Sequence, residues 1–188
     1  MERKRIFMKH ALAIWVLALL LGITACTTAD LGTSTGGGGT GTTANSQADK
    51  NFLASAASSN QLEIKLSELA QQRSANLEVR EFAKLMVQQH TKFSNELKGV
   101  AQQMRLTYST NLTQGHQTRY DKVVKMTGAG FEKAFVQEME MLYQQDIAIY
   151  QQAGSNSTNF ALRAYALKNT PILQGHLRLA TQLKNILP

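Results

Sequence analysis

Residues 79–104, VREFAKLMVQQHTKFSNELKGVAQQM, place Val79, Phe82, Met86, Phe93, Leu97, Val100 and Met104 at intervals of three and four. That spacing puts every one of them on a single stripe of an α-helix, and no alternation of the β type competes with it. One polar residue interrupts the stripe: His90 lies four residues after Met86 and three before Phe93. A stripe this long needs other helices to cover it, so this segment sets the expectation for its neighbours.

Working outward, residues 48–73 repeat the pattern with Phe52, Ala56, Ser59, Leu66 and Ala70 on one face and Leu62 and Leu69 beside it. Glu63 falls inside that face. After a break at residues 105–112, Thr113 caps a shorter helix reaching about Thr127, with His116, Tyr120, Val123 and Val124 facing inward. Gly128 and Gly130 mark a turn, and Phe131, Phe135, Met139, Leu142, Ile149 and Tyr150 carry the next helix to Ala153, with Asp146 on its stripe and Tyr143 at the border. Residues 154–157 break the chain again. The last helix runs from Phe160 to Ile186 with Ile172, His176, Leu179, Leu183 and Ile186 inward, and Pro171 is expected to bend it, because a proline ring removes an amide donor and crowds the preceding turn. Four long amphipathic helices and one short one predict an all-α protein, an antiparallel four-helix bundle with one additional short helix.

The amino terminus reads differently. Lys4, Arg5 and Lys9 precede the apolar run from Ala11 to Ile23, and Ile23-Thr24-Ala25-Cys26 closes it. A positive flank followed by about a dozen apolar residues is the pattern of an export signal, too short to span a bilayer comfortably. The close resembles the bacterial lipobox, which implies that residues 1–25 are removed and that Cys26 becomes a lipidated first residue; a plain secretory signal is the alternative. With Thr27 after the cysteine, the resemblance points to the outer membrane, with the folded part in the periplasm. Residues 26–47, rich in Thr, Gly and Ser and including Gly36-Gly37-Gly38-Gly39, bury too little apolar area to fold and are expected to be a tether. The bundle domain is then residues 48–188.

Removal of residues 1–25 lowers the formal charge from +7 to +4, since four of the 20 Lys and Arg but one of the 13 acids lie there. The remaining charges are dispersed, with no basic block of the kind that reads nucleic acid. A membrane surface reached through Cys26, an envelope protein or a cell-wall polymer are the expected partners, and the sequence leaves the oligomeric state open. Cys26 is the single cysteine, so no internal disulfide can form and packing must carry the stability. No phosphate-binding glycine loop, nucleophile elbow or cysteine nucleophile appears in the folded part, so no catalytic residues are expected.

Glu63, His90, Asp146 and His176 stand out because each of the four long helices sends one polar group toward a common interior. Imidazole and carboxylate donors suit Fe, Mn or Zn, and bundle cores hold such metals with ligands from several helices. The competing reading is a polar network closed on protein groups, because a buried charge without a partner is costly. The Glu-x-x-His spacing of di-iron bundles is missing: Val87 and Leu173 stand three residues before the two histidines. Tyr143, Tyr150 and the methionines read as core packing.

Taken in order, Asn51-Phe52-Leu53-Ala54, the run Glu63 through Ala70, Val79 through His90, Phe131 through Phe135 and Thr170-Pro171-Ile172-Leu173-Gln174-Gly175-His176 resemble the DUF4142 family of exported bacterial proteins. The resemblance covers residues 48–185 and implies a ferritin-like bundle, lipid-anchored or periplasmic, with no established biochemical role. It retains Glu63, His90, His116 and His176. It departs at Gln89, where the family carries an acid, and at Tyr143, where the family carries a histidine. Both departures remove donors a metal would use. The expected function is therefore an envelope lipoprotein in a structural, binding or stress-associated role, with a metal-binding or redox bundle as the alternative.

Overall fold

The computed structural model describes residues 46–188, which form five helices: α1 (Gln47–Arg73), α2 (Leu77–Gln103), α3 (Gln114–Val124), α4 (Gly128–Asn156) and α5 (Phe160–Ile186). The start of four of the five is set by a short polar side chain bonded to a free backbone amide of the first turn. Ser46 and Asp49 form a reciprocal capping box on α1, and Asn76, Thr113 and Asn159 accept from the amides of Val79, His116 and Leu162. Each such cap contributes on the order of 1 kcal/mol. The α4 start lacks a side-chain cap at Thr127.

Helices α1 and α2 form one hairpin and α4 and α5 the other. Contacts across the hairpins fix the direction of every helix. On α1 and α4, Phe52 meets Tyr150, Ser59 meets Asp146 and Ser74 meets Glu132, so one helix rises as the other descends. Lys168 with Glu96 and His176 with His90 give α2 and α5 the same opposed sense. Every neighbouring pair is therefore antiparallel, whereas α2 and α4, in diagonal positions, are parallel. Two parallel helices in succession need a crossover, and residues 105–127 with α3 supply it, running along α1 and α4. This is an all-α four-helix bundle with one long crossover, the ferritin-like arrangement.

The crossover is fastened at both ends. Near its start, the Ser58 hydroxyl accepts the amide of Thr113 at 2.8 Å and lies 2.6 Å from His116 Nδ1. Near its end, the Arg73 guanidinium donates to the carbonyls of Val124 and Met126 and lies 4.4 Å above the Phe131 ring. The adjoining α1–α2 turn is closed by Glu132, which accepts from the Ser74 hydroxyl and the Asn76 amide; the Ser74 hydrogen bond is the main cause of its lowered pKa.

Two helix boundaries and two helix faces differ from the sequence expectation. Gly128 and Gly130 belong to the first turn of α4, not to a turn before it. The α4 helix also passes through Gly154 to Asn156, and the reason is packing: a Cβ at Gly154 would stand 2.9 Å from Cδ2 of Leu167 on α5, so a residue that reads as a breaker is a close-approach point between helices. The inward face of α3 reduces to Val123, with His116, Tyr120 and Val124 half-buried. On α5 the buried line is Leu162, Tyr165, Ala166, Asn169, Leu173, His176, Ala180 and Leu183; Leu179 and Ile186 are exposed. Helix α5 runs from Phe160 to Ile186 with Pro171 inside it, the extent expected from the sequence.

Candidate functional site

The centre of the bundle holds a polar cluster contributed by all four long helices. Glu63 on α1 and His90 on α2 are completely removed from solvent, and His90 Nδ1 lies 2.9 Å from Glu63 Oε2 and 3.0 Å from Asn60 Oδ1. Their positions follow from helix geometry: Asn60 and Glu63 are one turn apart on the α1 face that meets the middle of α2. Tyr143 of α4 donates its hydroxyl proton to Met86 Sδ at 2.8 Å and stands 3.5 Å from His90 Nε2, its ring stacked on the imidazole at 5.8 Å. His176 of α5 closes the fourth side, its ring 5.3 Å from His90 and 5.4 Å from Tyr143.

Asp146 stands apart from the Glu63–His90 pair in its bonding: Ser59 donates to its Oδ2 at 2.7 Å. Nearby, the Tyr150 and Tyr165 hydroxyls are 3.0 Å apart, Tyr165 also donates to the Phe93 carbonyl, and the Asn169 amide donates to the Tyr165 carbonyl. The Met86, Asn60 and Asn169 contributions escaped the sequence reading. Asn60 and Asn169 were legible in principle, since each sits three or seven residues before a polar residue already placed inward.

The electrostatics follow from burial. Loss of hydration pushes the Glu63 carboxyl well above the usual range, with the distant Arg119 charge opposing, and the same effect lowers His90 to about 3. His176 is likewise lowered to about 3, first by burial and then by His90. Burial, reinforced by Glu63 and opposed by Ser59 and Arg119, raises Asp146. Burial thus favours the protonated form of Glu63 and the neutral form of both imidazoles. With its proton on Nδ1, His90 donates to Asn60 Oδ1. Neutral forms of both groups are what an apolar core accommodates at least cost.

Both Glu63 oxygens and His176 Nδ1 nevertheless lack a directional hydrogen bond, the 2.9 Å approach of His90 to Glu63 being a close contact of poor angle. Such orphan atoms are what a metal site would offer, so the fit is worth testing on the donor set. Among the described residues, no three His, Cys, Asp or Glu side chains are grouped to hold a metal ion. Asp146 is engaged with Ser59, and at the position facing His90 from α4 stands a tyrosine whose proton is bound to sulfur. The residues present do not fit an Fe, Mn or Zn centre. Cys26 lies outside the described residues, and among those described no helix is long and apolar enough to cross a membrane.

Comparison with known proteins agrees with this architecture. The crystal structure of a DUF305 protein from Streptomyces coelicolor is similar at a TM-score of 0.62 with 16% identity, over 72% of this chain and 89% of that one, a likeness of fold. No curated protein matches the chain. Residues 36–183 match the domain of unknown function DUF4142, and the chain belongs to that family.

Proposed function

We propose that this chain is an envelope lipoprotein, held at the outer membrane through acylated Cys26 and a tether of residues 26–45, whose bundle acts as a non-catalytic structural or binding module in the periplasm. The observation that carries the non-catalytic part is the Glu63–His90 pair. Acid, base and imidazole groups that would be reactive at a surface are here fully buried, neutralised and turned toward one another. A general acid or base must reach the proton it transfers, and these side chains face only protein. The anchor rests on Ile23-Thr24-Ala25-Cys26 and the basic, apolar segment before it. Two or three acyl chains, at roughly 0.8 kcal/mol per inserted CH₂, hold a protein durably on a leaflet.

The reading is tested by metabolic labelling with an alkyne fatty acid, followed by membrane fractionation. Acylated, membrane-bound protein that becomes unlabelled and released in Cys26→Ala supports it; a chain that is never labelled removes the anchor from the account.

A further inference from the structure

We propose that the groove between the amino-terminal half of α1 and the chain segment 105–113 is a binding site for a long-chain fatty carboxylate. The groove has a volume of about 610 Å³, and Leu53 and Ala54 on one wall and Leu106, Tyr108 and Leu112 on the other make it predominantly apolar. Lys50 is the one charged side chain that lines it, and it has no acidic partner among the described residues. An apolar trough with a single unpaired ammonium group matches a ligand with one carboxylate and a hydrocarbon chain. The volume lies within the roughly 300–1,000 Å³ of small-molecule sites.

The second wall is built in advance of any ligand. Helix α2 ends in a paired motif in which the amide of Arg105 bonds the Gln102 carbonyl and the amide of Leu106 bonds the Ala101 carbonyl, with Arg105 in the left-handed region at φ 56°. This reverses the chain so that residues 106–112 run back over α1. Tyr108 is held by a 2.6 Å hydrogen bond between its hydroxyl and Ser94, and the segment ends where the Thr113 amide bonds Ser58. With the tyrosine hydroxyl already bonded, its ring is left to line the groove. A wall fixed at its start, middle and end binds a flexible chain without first having to order itself.

The proposal is independent of whether Cys26 is acylated, since its readout lies in the groove. The full chain in phosphatidylcholine nanodiscs is irradiated with a diazirine-bearing palmitate, and the crosslinked peptides are mapped by mass spectrometry. Saturable labelling of the peptides containing Leu53 and Leu112 is expected, competed by unlabelled palmitate but poorly by palmityl alcohol. Lys50→Glu is expected to lower the labelling about tenfold, the size of a lost charge-assisted contact, while Lys50→Arg retains it. Ala54→Trp, at an exposed wall position, is expected to block the groove and abolish the labelling. Labelling that does not saturate, that the alcohol competes equally, that phosphatidylcholine alone displaces, or that survives both Lys50→Glu and Ala54→Trp would overturn the assignment.

Discussion

His90 Nδ1 lies 2.9 Å from Glu63 Oε2 with both side chains sealed from solvent, and burial drives the two groups to neutrality from opposite sides. The relationship makes stability depend on pH in two opposed ways. His90 and His176, lowered from 6.5 to about 3, favour folding above pH 6.5; as pH falls below that, the unfolded chain binds protons the core refuses, and stability drops by up to about 1.4 kcal/mol per unit for each ring. Glu63 and Asp146, raised above 4.5 and 3.8, act in the other sense: the folded state holds their protons, and stability drops as pH rises above those values.

Between about pH 4.5 and 6.5 the two effects offset one another. Urea unfolding followed by circular dichroism from pH 3 to 10 is therefore expected to show a stability maximum on the mildly acidic side of neutrality, falling in both directions. A monotonic rise in stability from pH 5 to 9 would contradict the upward shifts of Glu63 and Asp146.

Glu63→Gln isolates one group. The amide keeps the size of the protonated acid and cannot ionise, so the variant is expected to lie within about 1 kcal/mol of the parent at pH 4.5 and to be the more stable of the two at pH 9. Glu63→Lys, which buries a charge with no partner, is expected to cost more than about 3 kcal/mol. Denaturant midpoints at the two pH values decide the matter.

Arg105 holds a left-handed backbone, φ 56°, that glycine adopts without steric penalty. Arg105→Gly is expected to raise stability by about 1 kcal/mol, seen as a higher Tm with unchanged helix content. A loss of stability would mean that the Arg105 side chain contributes more than its backbone strain costs.

The anchor makes a separate prediction. Cys26→Ala is expected to abolish incorporation of labelled palmitate and move the protein from the membrane to the soluble fraction, while thermal unfolding of the helical domain is expected to stay unchanged, since the core residues from Phe52 to Leu183 are untouched by the substitution. Membrane fractionation and a melting curve on the same preparation read both outcomes.

Much of the bundle was legible because apolar periodicity is a local signal. The α2 stripe from Val79 to Met104 is buried throughout, and Glu63, His90 and His176 lie inside because they share that periodicity. What was not legible depended on partners. Gly154 reads as a helix breaker until Leu167 of α5 is seen pressing against it. On α5 the expected face kept His176 and Leu183 but was turned by part of one residue step, which placed Leu179 and Ile186 inward and hid Asn169 and Ala180. The separation of Asp146 from Glu63 and His90 could not be read either, since it depends on which α1 side chain, Ser59 or Glu63, meets α4.

The central claim is that the inward Glu, His and Asp residues are buried core groups and not a metal centre. Elemental analysis of the full chain after reconstitution with Fe, Mn and Zn and removal of excess metal, beside His90→Ala and His176→Ala, tests it most directly. The account predicts substoichiometric metal that is the same in parent and variants. One metal ion per chain, lost in both variants, would contradict it.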